Sequence, residues 1–206
     1  MSSVALSLRP TGRFDVLRRL GEGGMGVVYE AYDRERRMRV ALKTLRTLSA
    51  EAILRFKNEF RALQDLSHPN LCTLGELISL GRQWFFTMEL VDGVDLLGWV
   101  RPPLSSLRLG RPELPPVDVA RLRAALVDLA HGVSALHAAG VVHRDIKPPN
   151  ILVESSGRVV LLDFGLAQSA ARPGESDIRV VGTADYMAPE QASGRKVGPE
   201  ADWYSV

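Results

Sequence analysis

Between Val141 and Val153 the chain reads VVHRDIKPPNILV, setting a histidine, an arginine, an aspartate, a lysine and an asparagine between two apolar runs that read as buried strands. Ionisable groups are costly to bury unless they are paired. A chain that puts five polar side chains in such a place must hold them as a site, and the rest of the fold must supply its walls. His143, Arg144, Asp145 and Asn150 fix four positions, a combination that chance supplies about once in a thousand chains of this size. DFG follows at Asp163, at the end of the apolar stretch RVVLL. Asn150 and Asp163 bracket the short hairpin ILVESSGRVVLL, so their oxygens can face one point, as hard ligands for magnesium must. Fixed polar groups around a charged substrate, with water partly kept out, are what such a loop can provide.

Holding that loop needs a core. With 206 residues, 46% of them hydrophobic, the chain can bury one large domain or two small lobes. A net charge of +2 with scattered basic residues gives neither a nucleic-acid footprint nor a polybasic membrane patch. The single cysteine, Cys72, excludes an intramolecular disulfide framework and reads as a small core residue of a reducing compartment. MSSVALSLRPTGR has no long apolar stretch after a basic start, and no later run reaches the ~18 apolar residues of a span. The expectation is a cytoplasmic chain without a membrane segment.

Periodicity then divides the chain. FDVLRRLGEGGMGVVYEAYD alternates around a glycine cluster and RVALKTL follows, which predicts a small antiparallel sheet. Ile53, Phe56, Phe60, Leu63 and Leu66 recur every three or four residues and predict a helix from Glu51, ended by SHPN, with Glu59 near its apolar side. LCTLGELISL and QWFFTMEL read as strands joined through Gly81, and VDGVDL as a turn. RPPLSSLRLGRPELPP lacks periodicity and reads as an exposed insertion over 101–116. Leu122, Leu126, Leu129, Val133 and Leu136 mark a long helix that stops at AAG.

GEGGMG matches G-x-G-x-x-G at Gly21, Gly23 and Gly26. An ordinary glycine-rich hairpin and a dinucleotide-binding turn both fit the spacing, but the latter requires a helix directly after the glycines, and VVYEAY reads as a strand. A hairpin with bare backbone can instead lie over a polyphosphate. Lys43 in VALK is either an exposed strand-end lysine or a buried ammonium that needs an anion. Glu59 and phosphate oxygens are the two candidates for that anion.

Taken together, GEGGMGVV, VALK, Glu59, HPN, MEL, HRDIKPPN, DFG, GTADYMAPE and ADWYS make a chain that resembles the protein kinases, specifically the eukaryotic-type serine/threonine kinases of bacteria. The resemblance covers nearly the whole chain and implies an α+β, bilobal fold. Residues 1–12 would be an extension, 13–91 a beta-rich N-lobe with one main helix, and 92–206 an incomplete, mostly helical C-lobe whose activation segment is 163–190. It implies ATP and Mg2+ as cofactors and protein serine or threonine hydroxyls as substrates, with dimerisation left open. Gly21, Glu22, Gly23, Gly24, Met25 and Gly26 would cover the phosphates, Lys43 would hold them while paired with Glu59, and Asn150 and Asp163 would hold magnesium. Asp145 would accept the substrate proton, Lys147 would reach the transferring phosphate, and Thr183 would bond to that pair. Val28, Ala41 and Leu152 would enclose adenine, whose edge would meet the backbone of Glu89 and Val91 after Met88.

Departures bear on regulation. Pro149 stands where a small or acidic residue is usual, with its side chain expected to face away from the phosphate. Gln168 replaces a basic residue that commonly shares an activation-loop phosphate with Arg144, so Ser169 and Ser176 are candidate phosphosites whose modification is expected to matter only weakly. ADWYSV falls where the family's central helix begins. Asp202 would anchor the backbone around His143 and Arg144, Glu190 would lack its usual arginine, and the Leu122 to Leu136 face would be left uncovered. The competing reading is therefore a truncated or pseudokinase-like nucleotide-binding or scaffolding module, with the 206-residue chain at most feebly active.

Overall fold

The computed structural model describes residues 12–23, 26–45, 49–81, 83–101, 116–164 and 184–206. These fall into two compact units. The first holds the described residues up to Ser67 together with Thr73–Leu90, and the second holds His68–Cys72 and the described residues over 91–164 and 184–206.

The first unit is a five-stranded antiparallel sheet and one helix. In chain order the elements are β1 (Phe14–Gly23), β2 (Gly26–Asp33), β3 (Met38–Thr44), α1 (Ala50–Gln64), β4 (Leu74–Leu80) and β5 (Gln83–Met88). The sheet order is β1-β2-β3-β5-β4. Alternation along the strands sends Phe14, Ala31, Val40, Leu42 and Phe85 into one buried cluster, flanked by Val16, Ile78 and Leu80. α1 covers the opposite face: Phe56 and Phe60 meet Phe86 of β5 with ring centroids 5.9 and 5.4 Å away. Ser49 caps this helix by accepting the Ala52 amide, and Glu51 complements the first turn. Its buried residues are Ala52, Phe56, Phe60 and Leu63; Ile53 is only half-buried and Leu66 lies past the helix end. At the far end of the sheet Asp33 is fully buried, and the Arg13 guanidinium, bonded to both its oxygens at 3.0 and 2.8 Å, holds its carboxyl below the ordinary range.

The second unit contains β6 (Gly93–Asp95), α2 (Leu96–Val100), α3 (Val119–Ala138), β7 (Ile151–Glu154), β8 (Val159–Leu161), α4 (Pro189–Ala192) and α5 (Pro199–Ser205). Its sheet order is β6-β7-β8. Several sequence expectations shift here. VDGVDL is not a turn: Gly93–Asp95 pairs with Leu152–Glu154, and Asp95 then caps α2 through the Gly98 amide. Val141 and Val142 form no strand, because the Val141 amide completes the end of α3 on the Leu136 carbonyl, 3.1 Å away. The strand expected from Leu71 starts only at Leu74, because Leu71 bridges to Leu161 and the Cys72 amide bonds the Leu161 carbonyl. Cys72 is buried, as the sequence suggests. Leu129, Val133 and Leu136 are buried too, so most of the α3 face expected to be uncovered is packed; Val119 and Val127 are the exposed large apolar residues of that helix. Among the described residues no helix is long and apolar enough to cross a membrane.

Asn70 fastens HPN to this unit. Its Nδ2 donates to the Val159 carbonyl at 2.8 Å and its own carbonyl accepts from Leu161 at 2.9 Å. α3 approaches this segment at Gly132, where a Cβ would stand 2.9 Å from the Asn70 carbonyl oxygen. Helix propensity alone makes alanine better than glycine by about 1 kcal/mol. Gly132→Ala is nevertheless expected to lower stability, by about 1 to 3 kcal/mol as an overpacking change. A chemical-denaturation midpoint equal to or above that of the parent would contradict the close approach.

Candidate active site

In the first unit the β1–β2 hairpin sets Gly21 opposite Val28, Glu22 opposite Val27 and Gly23 opposite Gly26. The three glycines differ in kind. At Gly26, with φ of 153°, a Cβ would fall 1.7 Å from the Thr44 carbonyl oxygen, so the fold itself excludes a side chain. At Gly21 and Gly23 a Cβ would meet nothing within 4 Å among the described residues, so their backbone is bare there. Thr44 Oγ1 accepts from the Val27 amide at 3.2 Å and donates to the Val27 carbonyl at 3.1 Å, pinning the hairpin to β3.

Register then arranges the sheet residues. Lys43 lies opposite Val28 on one side and Phe86 on the other, and Ala41 lies opposite Met88. Opposed residues of antiparallel strands share a face, so Val28, Ala41, Lys43, Phe86 and Met88 project together. Lys43 is only 3% exposed, which excludes the exposed strand-end alternative. Because Phe86 receives Phe56 and Phe60, α1 packs on the sheet face that carries Lys43, and Glu59, next to Phe60 in that helix, is half-buried. Neither Lys43 nor Glu59 is without a partner. The Glu89 amide donates to the Thr73 carbonyl at 2.9 Å.

The second unit brings Asp145, Lys147 and Asn150 together. Lys147 Nζ lies 3.0 and 2.8 Å from the two Asp145 oxygens. Asn150 Nδ2 donates both to the Asp145 carbonyl at 2.8 Å and to Asp145 Oδ2 at 2.9 Å. The Asn150 carbonyl accepts the Leu162 amide at 2.8 Å, which ties Asn150 to the residue before Asp163. The β7–β8 hairpin expected between them is present, with Ile151 opposite Leu161. Leu152, half-buried, lies opposite Asp95 and Val160, and Val91 is buried. Pro149 is exposed. Gly24, Met25, Thr183, Gln168, Ser169 and Ser176, and most of the 101–116 insertion, lie outside the described residues.

Behind this group stands an anchor. Asp202, 1% exposed in α5, accepts the His143 amide at 2.8 Å and the Arg144 amide at 2.7 Å, as expected. Its third donor was not foreseen: His137 Nε2, 2.7 Å from Oδ2, at the last turn of α3. A histidine six residues before His143, on the helix that leads into the loop, was the available signal. Also unforeseen is Gln191, whose Nε2 donates to the Arg144 carbonyl at 2.7 Å. Arg144 itself has φ of +66° and Asp163 +59°, left-handed conformations that cost a non-glycine residue about 1 to 2 kcal/mol and so need such external holds.

The His143 ring is the second support. Nδ1 accepts the Asp145 amide at 3.2 Å, so Nε2 carries the proton and donates it to the Leu162 carbonyl at 2.8 Å. Burial pushes its pKa below the ordinary 6.5, outweighing the Leu162 carbonyl and the Asp202, Asp145 and Asp163 carboxylates, which raise it. The unfolded chain therefore takes up this proton before the folded one does. Stability from His143 is complete above about pH 6.5 and is lost as pH falls below it towards the depressed folded value. His143→Gln, which keeps an amide donor for Leu162, is expected to flatten the fall in melting temperature between about pH 6.5 and 5. An unchanged slope in the variant would show that His143 is not the group that titrates.

A family model for the protein kinase domain matches residues 14–206. The serine/threonine-protein kinase PknA of Mycobacterium tuberculosis is 39% identical over 207 residues, covering 95% of this chain and 45% of that protein. Pkn1 of Myxococcus xanthus, also named a serine/threonine-protein kinase, is 36% identical over 204 residues, covering 95% of this chain and 28% of that protein. The chain thus spans less than half the length of these curated relatives. Among solved structures, the Mycobacterium tuberculosis PknI kinase domain superposes with a TM-score of 0.70 at 26% identity, covering 94% of this chain and 71% of that one. The α+β architecture is that of a kinase domain, and the chain belongs to the protein kinase family.

Proposed function

We propose that the protein containing this chain is an ATP-dependent serine/threonine kinase in which Asp145 takes the proton from the substrate hydroxyl. The observation that carries this reading is the closed set of bonds among Asp145, Lys147 and Asn150. Asp145 Oδ2 already receives Asn150 at 2.9 Å and Lys147 at 2.8 Å, while among the described residues Oδ1 receives only Lys147, at 3.0 Å. A carboxylate oxygen has two acceptor sites, so Oδ1 keeps one for a serine or threonine hydroxyl. That hydroxyl oxygen attacks the γ-phosphorus, the bond from the γ-phosphorus to the β-γ bridging oxygen breaks, and its proton passes to Asp145 as ADP leaves. Lys147, bonded to the same carboxylate, fixes its orientation and would offer a cation to the transferred group.

The donor set fits magnesium. Asn150 uses its amide nitrogen on Asp145, which leaves its side-chain oxygen as the ligand atom, and Asp163 offers a carboxylate. Magnesium keeps several waters and takes few protein oxygens, so two side-chain oxygens are a sufficient protein contribution. Bound there, it would neutralise phosphate charge. Lys43, with Glu59 behind it, would hold phosphate oxygens, and the open backbone at Gly21 and Gly23 would approach them. Since the Glu89 amide is taken by Thr73, an adenine donor would address the Glu89 carbonyl, and its ring nitrogen the Val91 amide. Protein substrates follow from this chemistry.

Transfer of labelled γ-phosphate by the full-length protein to a serine- and threonine-bearing acceptor tests the reading. Asp145→Asn is expected to lower kcat by about 100- to 10,000-fold while nucleotide affinity holds. Lys43→Met should abolish transfer without unfolding the protein. Nucleotide binding with no transfer by the parent would favour the scaffolding reading, and undiminished turnover in Asp145→Asn would remove Asp145 from its role.

A further inference from the structure

We infer that Gln191 is a positioning residue for Asp145, coupling the end of the 163–190 segment to the loop that carries the proton acceptor; this rests on the proposed kinase function. The peptide group between Arg144 and Asp145 is planar, so its carbonyl and its amide point in opposite directions. Gln191 Nε2 holds the carbonyl at 2.7 Å, and His143 Nδ1 holds the amide at 3.2 Å. The plane is thus gripped at both edges. One residue earlier, Asp202 Oδ1 takes the Arg144 amide at 2.7 Å. Between these holds Arg144 sits at φ of +66°, a conformation it does not favour, and relaxation of that residue would swing Asp145.

The His143 and Asp202 holds come from the loop itself and from α5. Gln191 alone brings in α4, the short helix that directly follows the 163–190 segment. That helix has fastenings of its own: the Ala192 amide bonds the Ala188 carbonyl at 3.0 Å, and Ser205 Oγ of α5 donates to the Tyr186 carbonyl at 2.6 Å. A change that displaces residues 186–192 therefore withdraws the donor from Arg144 and loosens Asp145, without touching Lys43, Asn150 or Asp163. The predicted signature is a loss in kcat with unchanged substrate binding.

Two variants of the full-length protein test this. Gln191→Met keeps the length and removes the donor. Gln191→Glu keeps the shape and presents an acceptor to a carbonyl, except when protonated, when it can donate again. With a protein acceptor and magnesium-ATP, both are expected to show roughly ten-fold lower kcat near neutral pH, with KM for ATP and for acceptor within about two-fold of the parent. The rate of the Gln191→Glu variant relative to the parent should climb as pH is lowered from about 8 towards 6, because a carboxyl facing a carbonyl protonates above its ordinary range, and Gln191→Met should show no such recovery. Parent-like kcat in both variants, or losses in affinity and melting temperature that match the loss in kcat, would overturn the assignment. Should the parent transfer no phosphate, the kinase reading falls, and hydrogen exchange at the Arg144 and Asp145 amides decides the clamp instead. Faster exchange there in Gln191→Met, with other protected amides unchanged, supports it, and unchanged exchange overturns it.

Discussion

A buried carboxylate with no partner costs several kcal/mol, and Asp202 avoids that cost only by accepting from His143, Arg144 and His137 at once. Two of these donors are backbone amides, so the charge cannot be satisfied unless the chain passes it in one particular course. That course puts Arg144 in a left-handed conformation and turns the next residue, Asp145, towards Lys147 and Asn150. The His143 ring extends the same order to the Leu162 carbonyl, one residue short of Asp163. One carboxylate thus sets the orientation of a line of polar groups, each spaced from the next by a bond between 2.7 and 3.2 Å. Local propensity would not choose this path; it is imposed from α5 and α4, far along the sequence.

Strain and glycine are distributed by the same logic. Arg144 and Asp163 hold left-handed conformations without being glycine, and at Arg144 the bonds from its amide to Asp202 and from Gln191 to its carbonyl offset the backbone cost. At Gly26 the neighbouring Thr44 carbonyl leaves no volume for a side chain, whereas at Gly21 and Gly23 there is volume and no side chain fills it. Packing accounts for the first glycine. For the other two, packing among the described residues gives no such reason.

Features that rest on periodicity or on polar residues set in apolar surroundings were legible in the sequence. The strands on either side of the glycine cluster, the buried stripe of Phe56, Phe60 and Leu63, and the β7–β8 hairpin between Asn150 and Asp163 follow from such patterns, whereas the Asp202 anchor rests on the family resemblance. What was not legible depends on tertiary partners. Gly93–Asp95 is too short for alternation to register, and it is a strand only because β7 offers it an edge. Val141 and Val142 look like a strand start, but the first of them closes α3. Leu71 and Cys72 belong by composition to the strand that follows, yet they pair with Leu161. Gln191 carries no local signal, since its partner is a backbone carbonyl 47 residues away.

The division of the polar groups between two compact units has a consequence for how substitutions act. Asp145, Lys147, Asn150 and the residues that orient them are bonded within one unit, so their geometry is complete there. In the other unit strand register sets Lys43 beside Phe86, and the Phe86 contacts of α1 pack the helix that carries Glu59 on that face. Repacking α1 against Phe86 therefore acts on the groups proposed to meet phosphate, whereas loosening α4 or α5 acts on the proposed proton acceptor. On the proposed reading, substitutions in the first set act on nucleotide affinity and those in the second on the proton acceptor. Asp202 and Gln191 hold opposite ends of one residue, Arg144, so substitutions at those two positions act non-additively on the same step.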